Sequence, residues 1–275
     1  TLDGSHLVFY TNGSNSGDTL TERLRIASDG SISTKTAGTS NTRLGVNAGN
    51  SIVSGGNYNV VIGDEAGTAI NTGDNNTFIG YQAGDANQAG FNNTAVGYDA
   101  LGGNTASGAH VAIGYEALLT LNSTSGTSQF NTAVGVQAGK LLQTGVENTL
   151  IGGKAGDGLT TGSENVIIGH DAGAGATMTA SGAVIIGDNA ANAITSATNT
   201  IAIGEDALKT NATGGRTLAI GVSALEEQTF GSGELAANTA VGFFAGSNLT
   251  SGTYNTFFGY GAGSTGVVTG TQNIG

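Results

Sequence analysis

The chain contains no cysteine, no proline and no tryptophan among its 275 residues. Without cysteine it has no disulfide bond, no thiol nucleophile and no thiolate metal ligand. Only 8 lysine and arginine residues stand against 20 acidic ones, and the formal charge of −12 disfavours nucleic acid, whose binding proteins carry basic surfaces. No apolar run approaches the roughly 20 residues of a membrane span, so we expect no membrane insertion.

Glycine is abundant instead, with 49 residues, and many of them belong to a repeat. Motifs such as "NTAVG" recur in steps of 17 or 18 residues, with two steps of 21. The final glycine of the motif falls at Gly45, Gly63, Gly80, Gly97, Gly114, Gly135, Gly152, Gly169, Gly187, Gly204, Gly221, Gly242 and Gly259. Alanine follows three residues after each of them. Such self-similarity indicates a solenoid, in which each unit covers the next.

A short strand precedes each motif glycine in this pattern. The residues one and three positions before the glycine are apolar or β-branched, and they share one strand face because side chains alternate. The residue between them is mostly alanine or another apolar residue and points to the opposite face. We therefore expect both faces to be buried. The threonines Thr77, Thr94, Thr132 and Thr149 are expected to point inward with valine and isoleucine, which argues against an ice-binding surface.

The rest of each unit predicts a glycine corner, a second short strand and a polar turn. An apolar residue stands seven positions after the glycine in seven units, and turns such as "NTGDN" follow it. Asparagine four positions before the glycine is expected to stack into an amide ladder. We assign Gly63, Gly80, Gly97, Gly114, Gly135, Gly152 and Gly169 as structural corners. The prediction is an all-β parallel β-solenoid of about thirteen 17-residue coils.

The doubly apolar strand also bears on assembly. In a single solenoid the face that carries Ala95, Ala112 and Ala133 would be a long exposed apolar stripe. A closed symmetric assembly would cover that stripe without growing into a fibre. We therefore expect sister chains to meet along this face.

A family resemblance rests on these repeat residues. Units such as "NTAVGYDALGGNTASGAHVAIGYEAL" resemble the head repeats of YadA-type trimeric adhesins, and more closely the longer repeats of bacteriophage tail fibres and tail spikes. Residues 6–33, with "TER", an alternating strand and "DG", are similar to the β-hairpin segment common in tail fibres. The resemblance implies an N-terminal β-hairpin connector over residues 1–40 and an intertwined homotrimeric shaft over 41–275. "NIG" at the end looks like the opening of a fourteenth unit, so we expect the shaft to continue.

The expected function is a non-enzymatic shaft of a trimeric phage tail fibre, located in the virion tail. Its partners would be sister chains, other tail or baseplate proteins, and a glycan or protein of the host surface. One alternative is a tail spike that depolymerises polysaccharide. The other is a trimeric adhesin on a bacterial surface; the signal peptide and membrane anchor of adhesins are not recognisable in this sequence.

The aromatic residues are the most suggestive candidates for a site. Tyr81, Tyr98 and Tyr115 occupy the same outward position in three consecutive units, and Phe243, Phe244 and Tyr260 cluster further along. Exposed tyrosines suit sugar rings, being rigid and amphipathic. Contact with a glycan and packing against a neighbouring subunit both remain open. Insertions at residues 122–129 and 226–235 are expected to form projecting loops.

No catalytic, metal or cofactor site is predicted. The three histidines, His6, His110 and His170, lie in distant units and are not expected to share a metal ion. Acids recur one and two positions after the glycine and look like a solvated edge: Asp64, Glu65, Asp99, Glu116, Asp171, Asp188, Glu205 and Asp206. A glycosidase pair among these acids and a calcium site remain alternatives.

Overall fold

Two β-sheets make up the part of the chain that the computed structural model describes. The described residues are 2–3, 6–11, 21–26, 32–34, 37–122, 126–175, 177–211, 213–229, 235–265 and 269–274. They contain no α-helix, and therefore no helix long and apolar enough to cross a membrane.

The first sheet is small and antiparallel. Its four strands are β1 (Leu2–Asp3), β2 (His6–Thr11), β3 (Thr21–Ile26) and β4 (Ile32–Thr34), each paired with the next. The pairing of β2 with β3 carries an irregularity between Phe9 and Tyr10. The predicted "DG" turn and the connection between β2 and β3 lie outside the described residues, so the hairpin itself stays a prediction.

The second sheet holds thirteen parallel strands in sequence order. They are β5 (Thr42–Leu44), β6 (Val60–Ile62), β7 (Thr77–Ile79), β8 (Thr94–Val96), β9 (Val111–Ile113), β10 (Thr132–Val134), β11 (Thr149–Ile151), β12 (Val166–Ile168), β13 (Val184–Ile186), β14 (Ile201–Ile203), β15 (Leu218–Ile220), β16 (Thr239–Val241) and β17 (Thr256–Phe258). Each strand pairs with the next without a register shift, as in Thr132 opposite Thr149. This confirms the parallel β-solenoid with turns of about 17 residues. We call the unit around each motif glycine a coil and number the coils 1 to 13 from Gly45 to Gly259.

The sequence analysis predicted a second short strand in each coil, and this prediction is wrong. The residues after the corner glycine form consecutive turns, in which Ile70 donates its backbone N–H to the carbonyl of Gly67 over 3.0 Å. The apolar residues seven positions after the glycine are buried nonetheless: Ile52, Ile70, Leu121, Leu142, Leu159, Ile194 and Leu249. Left-handed residues follow the corner, such as Glu65 with a φ of 59° and Gly67 with one of 52°, so the chain turns there and does not extend.

The predicted assignment of the strand faces is also wrong. The middle residue of each strand points into the protomer's own core, and Ala95, Ala112 and Ala133 are 0% exposed. These alanines therefore cannot lie on an axis between subunits. The first and third residues of strands β5 to β17 point outward and are partly or fully exposed. We call this surface the outer strand face.

Threonine lies on the outer strand face in seven of its twenty-six positions. Thr77, Thr94, Thr132 and Thr149 are half-buried and outward, so the reason given against an ice-binding surface fails. The remaining nineteen positions are valine, isoleucine, leucine or phenylalanine, and coils 8 to 11 carry no threonine at all there. The surface is therefore mainly an apolar stripe.

The corner glycines are needed for two reasons. Gly97 has a φ of 138° and Gly114 one of 135°, a region that side chains rarely adopt. A Cβ built on Gly97 would lie 2.4 Å from the carbonyl oxygen of Gly114 in the next coil. The same arrangement recurs at Gly63, Gly80, Gly114, Gly135, Gly152 and Gly169, where that distance is 2.3 to 2.4 Å. Stacked corners therefore leave no room for a side chain.

Two kinds of coil fill the core differently. In coils 2, 3, 7, 8 and 13 the middle strand residue is large, and glycine stands four positions after the corner glycine. We call these glycine coils; in coil 3 a Cβ on Gly84 would lie 2.6 Å from the ring of Phe78. In coils 4, 5, 10 and 11 the middle residue is alanine, and a buried leucine replaces that glycine. These leucine coils include Ala95 with Leu101.

The leucine coils recur after six coils, or 107 residues. Coils 4, 5 and 6 correspond to coils 10, 11 and 12, including the 21-residue step in each set. The structure repeats with the sequence, because the isolated bridge between Gly108 and Ser128 recurs between Gly215 and Leu235. Equivalent coils are about 29 Å apart, at about 4.8 Å per coil.

An amide ladder runs beside the parallel sheet. In coils 2 and 3, the Asn76 side chain donates to Asn59 Oδ1 over 3.0 Å and to the Gly90 carbonyl over 2.8 Å. The ladder members are Asn41, Asn59, Asn76, Asn93, Asn131, Asn148, Asn165, Asn238 and Asn255, and all are buried. These paired amides satisfy polar groups that burial would otherwise destabilise.

Candidate functional site: the aromatic and acidic edge

The candidate residues lie one and two positions after the corner glycine, where each coil turns away from its strand. The second of these residues adopts a left-handed conformation, with φ of 51° at Asp99 and 54° at Glu116. Its backbone N–H donates to the preceding coil, from Asp99 to the Tyr81 carbonyl over 3.1 Å and from Glu116 to the Tyr98 carbonyl over 2.9 Å. These bonds hold the side chains of successive coils in one column.

The three tyrosines of coils 3 to 5 form a stack, which we call the tyrosine ladder. The ring centroids of Tyr81 and Tyr98 are 5.5 Å apart with an interplanar angle of 26°. Those of Tyr98 and Tyr115 are 5.1 Å apart at 16°. Each tyrosine is 43 to 45% exposed. The rings cover each other's faces, so their edges and hydroxyl groups meet the solvent.

Carboxylates flank the tyrosine ladder. The negative charge of Glu65 raises the pKa of the Tyr81 phenol. A hydrogen bond with Glu116 raises the pKa of the Tyr115 phenol. The Glu65 carboxylate accepts a 2.8 Å hydrogen bond from the amide of Gln82, which fixes its position. Both phenols therefore stay protonated well above neutral pH.

Charge compensation is uneven along this edge. Glu116 accepts hydrogen bonds from Lys140 at 2.6 Å and Gln137 at 2.9 Å, and these lower its pKa. The pKa of Asp99 is raised by burial and by the charge of Glu116. That of Asp85, which the sequence analysis did not single out, is raised by burial and by Asp99. The ladder therefore lies in a negative local potential.

The second aromatic group lies in coils 12 and 13. Phe244 and Tyr260 pack edge to face, with ring centroids 6.3 Å apart and an interplanar angle of 89°. Phe243 is 54% exposed and Tyr260 is 82% exposed. The structure therefore keeps the two predicted aromatic groups apart: one is an ordered stack and the other a looser cluster.

The described histidines do not meet. His110 takes an asparagine position in the amide ladder, where it is buried and its Nε2 lies 3.0 Å from the Ser107 hydroxyl. Burial lowers its pKa to about 4. His170 lies outside, with Nδ1 3.2 Å from Asp188 and 3.3 Å from Asp171. The side chain of His6 lies outside the described residues.

The acids predicted as a solvated edge follow one another along the column. Lys209 pairs with Asp206 at 3.0 Å, as Lys140 does with Glu116. Among the described residues, no group of three or more histidine and acidic side chains could hold a metal ion. Of the two predicted loops, residues 123–125 and 230–234 lie outside the described part of the chain, so their role stays a prediction.

Sequence reasoning missed the outward direction of the apolar strand columns. A signal was present: in the glycine coils a large middle residue goes with glycine four positions after the corner, and in the leucine coils alanine goes with leucine; coils 6 and 12 have alanine with glycine and belong to neither kind. Such matching of sizes, as in Phe78 with Gly84 and Ala95 with Leu101, means that both positions share one core. The other two strand columns then face outward.

No protein-family model, curated protein or solved structure matches this chain. The resemblance to tail fibres and adhesins therefore rests on the sequence motifs alone.

Proposed function

We propose that this chain is the shaft of a trimeric phage tail fibre, a non-enzymatic rod that gives reach and rigidity for attachment to a host surface. The observation that carries the proposal is the unbroken parallel sheet of thirteen strands with an outward apolar stripe. The sheet supplies the rod, and the stripe supplies the surface on which sister chains would pack.

Rigidity follows from the ladders. Thirteen strands at about 4.8 Å per step extend over about 58 Å. Each coil is joined to the next by strand hydrogen bonds and corner contacts, and consecutive ladder asparagines add side-chain bonds, so bending would strain all of these at once. A repeat array of this kind is stabilised by contacts between neighbouring coils and needs no disulfide bond.

The outer strand face supports assembly with sister chains. Two outward columns on thirteen strands make a footprint of roughly 600 Å², comparable to the ~800 Å² per partner of an ordinary interface. A patch of this size is at the upper end of what soluble monomers expose, and larger patches mark sites of protein–protein contact. The number three comes from the resemblance to trimeric fibres and adhesins. In this arrangement the outer strand face, rather than the alanine column, faces the three-fold axis.

The resemblance also suggests the setting. A fibre shaft belongs to the virion tail, where other tail or baseplate proteins hold one end and the other end approaches a host glycan or protein. The charge of −12 suits an extended surface that repels nucleic acid. Antibodies raised against the chain should label the tail fibres of phage particles; labelling of a bacterial envelope instead would favour the adhesin.

Assembly is tested with the outer strand face. Sedimentation of the 275-residue chain should give three times the protomer mass of 26.9 kDa. Replacing Ile113 and Ile151, which are 38% and 39% exposed, by lysine should leave protomers because charge cannot be buried on the axis. The exposed Tyr254→Lys serves as control. A monomeric wild type, or an Ile113→Lys/Ile151→Lys variant that remains trimeric, would contradict the proposal.

A further inference from the structure

We propose that the tyrosine ladder binds an uncharged glycan strand that lies along the solenoid axis. This inference deepens the proposed function and rests on it: it names the class of surface molecule and places the contact within the shaft.

The fold does not require these tyrosines. The six-coil period places Asp188, Glu205 and Val222 at the positions equivalent to Tyr81, Tyr98 and Tyr115, in coils with the same backbone hydrogen bonds. The backbone N–H of Asp206 donates to the carbonyl of Asp188 over 3.0 Å, just as the backbone N–H of Asp99 donates to the carbonyl of Tyr81. Three consecutive exposed aromatics are therefore a feature added to the coil rather than a condition of its folding.

The geometry of the ladder suits a repeating ligand. Its rings follow one another at 5.1 and 5.5 Å, so they offer the same group at regular intervals along the axis. A sugar chain likewise repeats apolar C–H faces and hydroxyl groups along its length. The rings are stacked before any ligand arrives, and tyrosine has few rotatable bonds, so binding orders little that was free.

The polar groups beside the rings suit hydroxyl groups. Carboxylates and amides lie next to the phenols, and the hydrogen bonds of Gln82 with Glu65 and of Gln137 with Glu116 hold them in place. Such groups accept from and donate to sugar hydroxyls in fixed directions. The exposed ring edges and the oriented polar groups beside them therefore offer a sugar both apolar and polar contacts.

The negative charge beside the tyrosine ladder determines which ligands can bind there. Glu65, Asp85 and Asp99 create a negative potential that repels sulfated, phosphorylated or uronic glycans. It also disfavours a second copy of the same edge, because like charges would face each other across the contact. An uncharged saccharide is not repelled by this potential, and it needs no opposite charge on the protein.

The test is affinity electrophoresis of the full chain through gels that contain a dissolved polysaccharide. Dextran, yeast mannan and galactomannan serve as neutral probes, heparin as the anionic probe and chitosan as the cationic one. We expect a neutral probe to retard the wild type. Tyr98→Ser, which removes the ring between two neighbours, should weaken that binding about 10-fold, as expected for an aromatic contact. Val222→Ser, at the position equivalent to Tyr115, should bind as the wild type does.

Three results would overturn the inference: no retardation by any neutral probe, tyrosine-dependent retardation by heparin or chitosan only, or a change of oligomeric state in Tyr98→Ser. The last would make the ladder a subunit contact. Sedimentation of the same samples separates this question from the proposed function. A trimer without glycan binding refutes the ladder site alone, whereas a monomeric wild type refutes the shaft and leaves the gel result to decide the ladder.

Discussion

The glycine coils and the leucine coils reach the same packed core by opposite routes. In a glycine coil such as coil 3, Phe78 fills the interior from the strand and Gly84 leaves it room. In a leucine coil such as coil 4, Ala95 leaves the room and Leu101 fills it from the turn. The volume is conserved while its source moves to the other side of the cross-section, as close-packed interiors require.

The two routes differ in backbone strain. Leu101 adopts a φ of 57°, and the other turn leucines, Leu118, Leu208 and Leu225, have values of 50° to 55°. A left-handed residue with a side chain costs about 1–2 kcal/mol, which glycine avoids. Three of the four leucine coils also interrupt the amide ladder, with His110, Thr200 and Thr217 in place of asparagine. Leucine coils thus depend on the buried side chain to offset strained backbone, and glycine coils do not.

Removing what both kinds of coil share should have the largest effect. Gly80→Val in a glycine coil and Gly97→Val in a leucine coil each place a Cβ 2.4 Å from the next glycine carbonyl. Strain and overpacking together should lower the free energy of unfolding by about 5 kcal/mol in both variants. Thermal unfolding and trimer yield measure the loss. Unchanged values would refute the role of the corner, and unequal losses would show that the two kinds of coil differ there too.

Crowding a glycine coil should come next. Gly84→Leu gives coil 3 both a large strand residue and a turn leucine, and we expect a loss of about 4 kcal/mol from strain and overpacking. The double variant Phe78→Ala/Gly84→Leu converts the coil to the other kind and should recover most of that loss. Gly153→Ala, where a Cβ would make an ordinary 3.4 Å contact, is the control. A double variant no more stable than Gly84→Leu would refute the size matching.

The ladder histidine should make coil 5, one of the leucine coils, sensitive to pH. Burial lowers the pKa of His110 to about 4, below the ordinary value of 6.5, so the folded state opposes protonation. Its stability is fully present above pH 6.5 and should fall by about 3 kcal/mol as the pH drops from about 6.5 to about 4.

The comparison that isolates this effect is between the wild type and His110→Asn, which restores the ladder residue found in glycine coils. The difference between their denaturant midpoints should grow toward pH 4. Parallel profiles for wild type and His110→Asn would rule out the buried histidine as the cause.

Removing the turn leucine from a leucine coil should have the smallest effect on the free energy of unfolding. Leu101→Gly removes a buried side chain but also relieves left-handed strain, so a net loss of about 2 kcal/mol is expected in chemical unfolding. Adding Ala95→Phe should restore part of it by rebuilding the glycine-coil arrangement. A loss of 4 kcal/mol or more would mean that the strain at Leu101 is negligible.

The sequence was sufficient for the parts of the fold that depend on spacing. The thirteen strands, their parallel order and the asparagine ladder follow from residues that recur at fixed distances, such as Asn148 and Asn165. The direction of each strand face does not follow from spacing. The alternation of side chains along a strand shows that Thr94 and Val96 share a face. Which face points inward depends on the direction in which the chain turns after Gly97. That turn uses left-handed residues such as Asp99 and Leu101.

The candidate site, too, could be predicted from the sequence only in part. The common position of Tyr81, Tyr98 and Tyr115 could be predicted from the repeat. Their mutual stacking and the raised pKa of Asp85 could not, because both depend on how far one coil turns relative to the next. For the same reason the sequence analysis placed the alanine column at the contact between sister chains, whereas the structure places it in the core and turns the apolar columns outward.

The six-coil period has a consequence for how such a chain can change in length. A tandem duplication or deletion of one 107-residue stretch in the coding DNA would join coils whose neighbours already match in size, register and hydrogen bonding. A gene of this kind can therefore vary its product in steps of about 29 Å without creating a faulty junction.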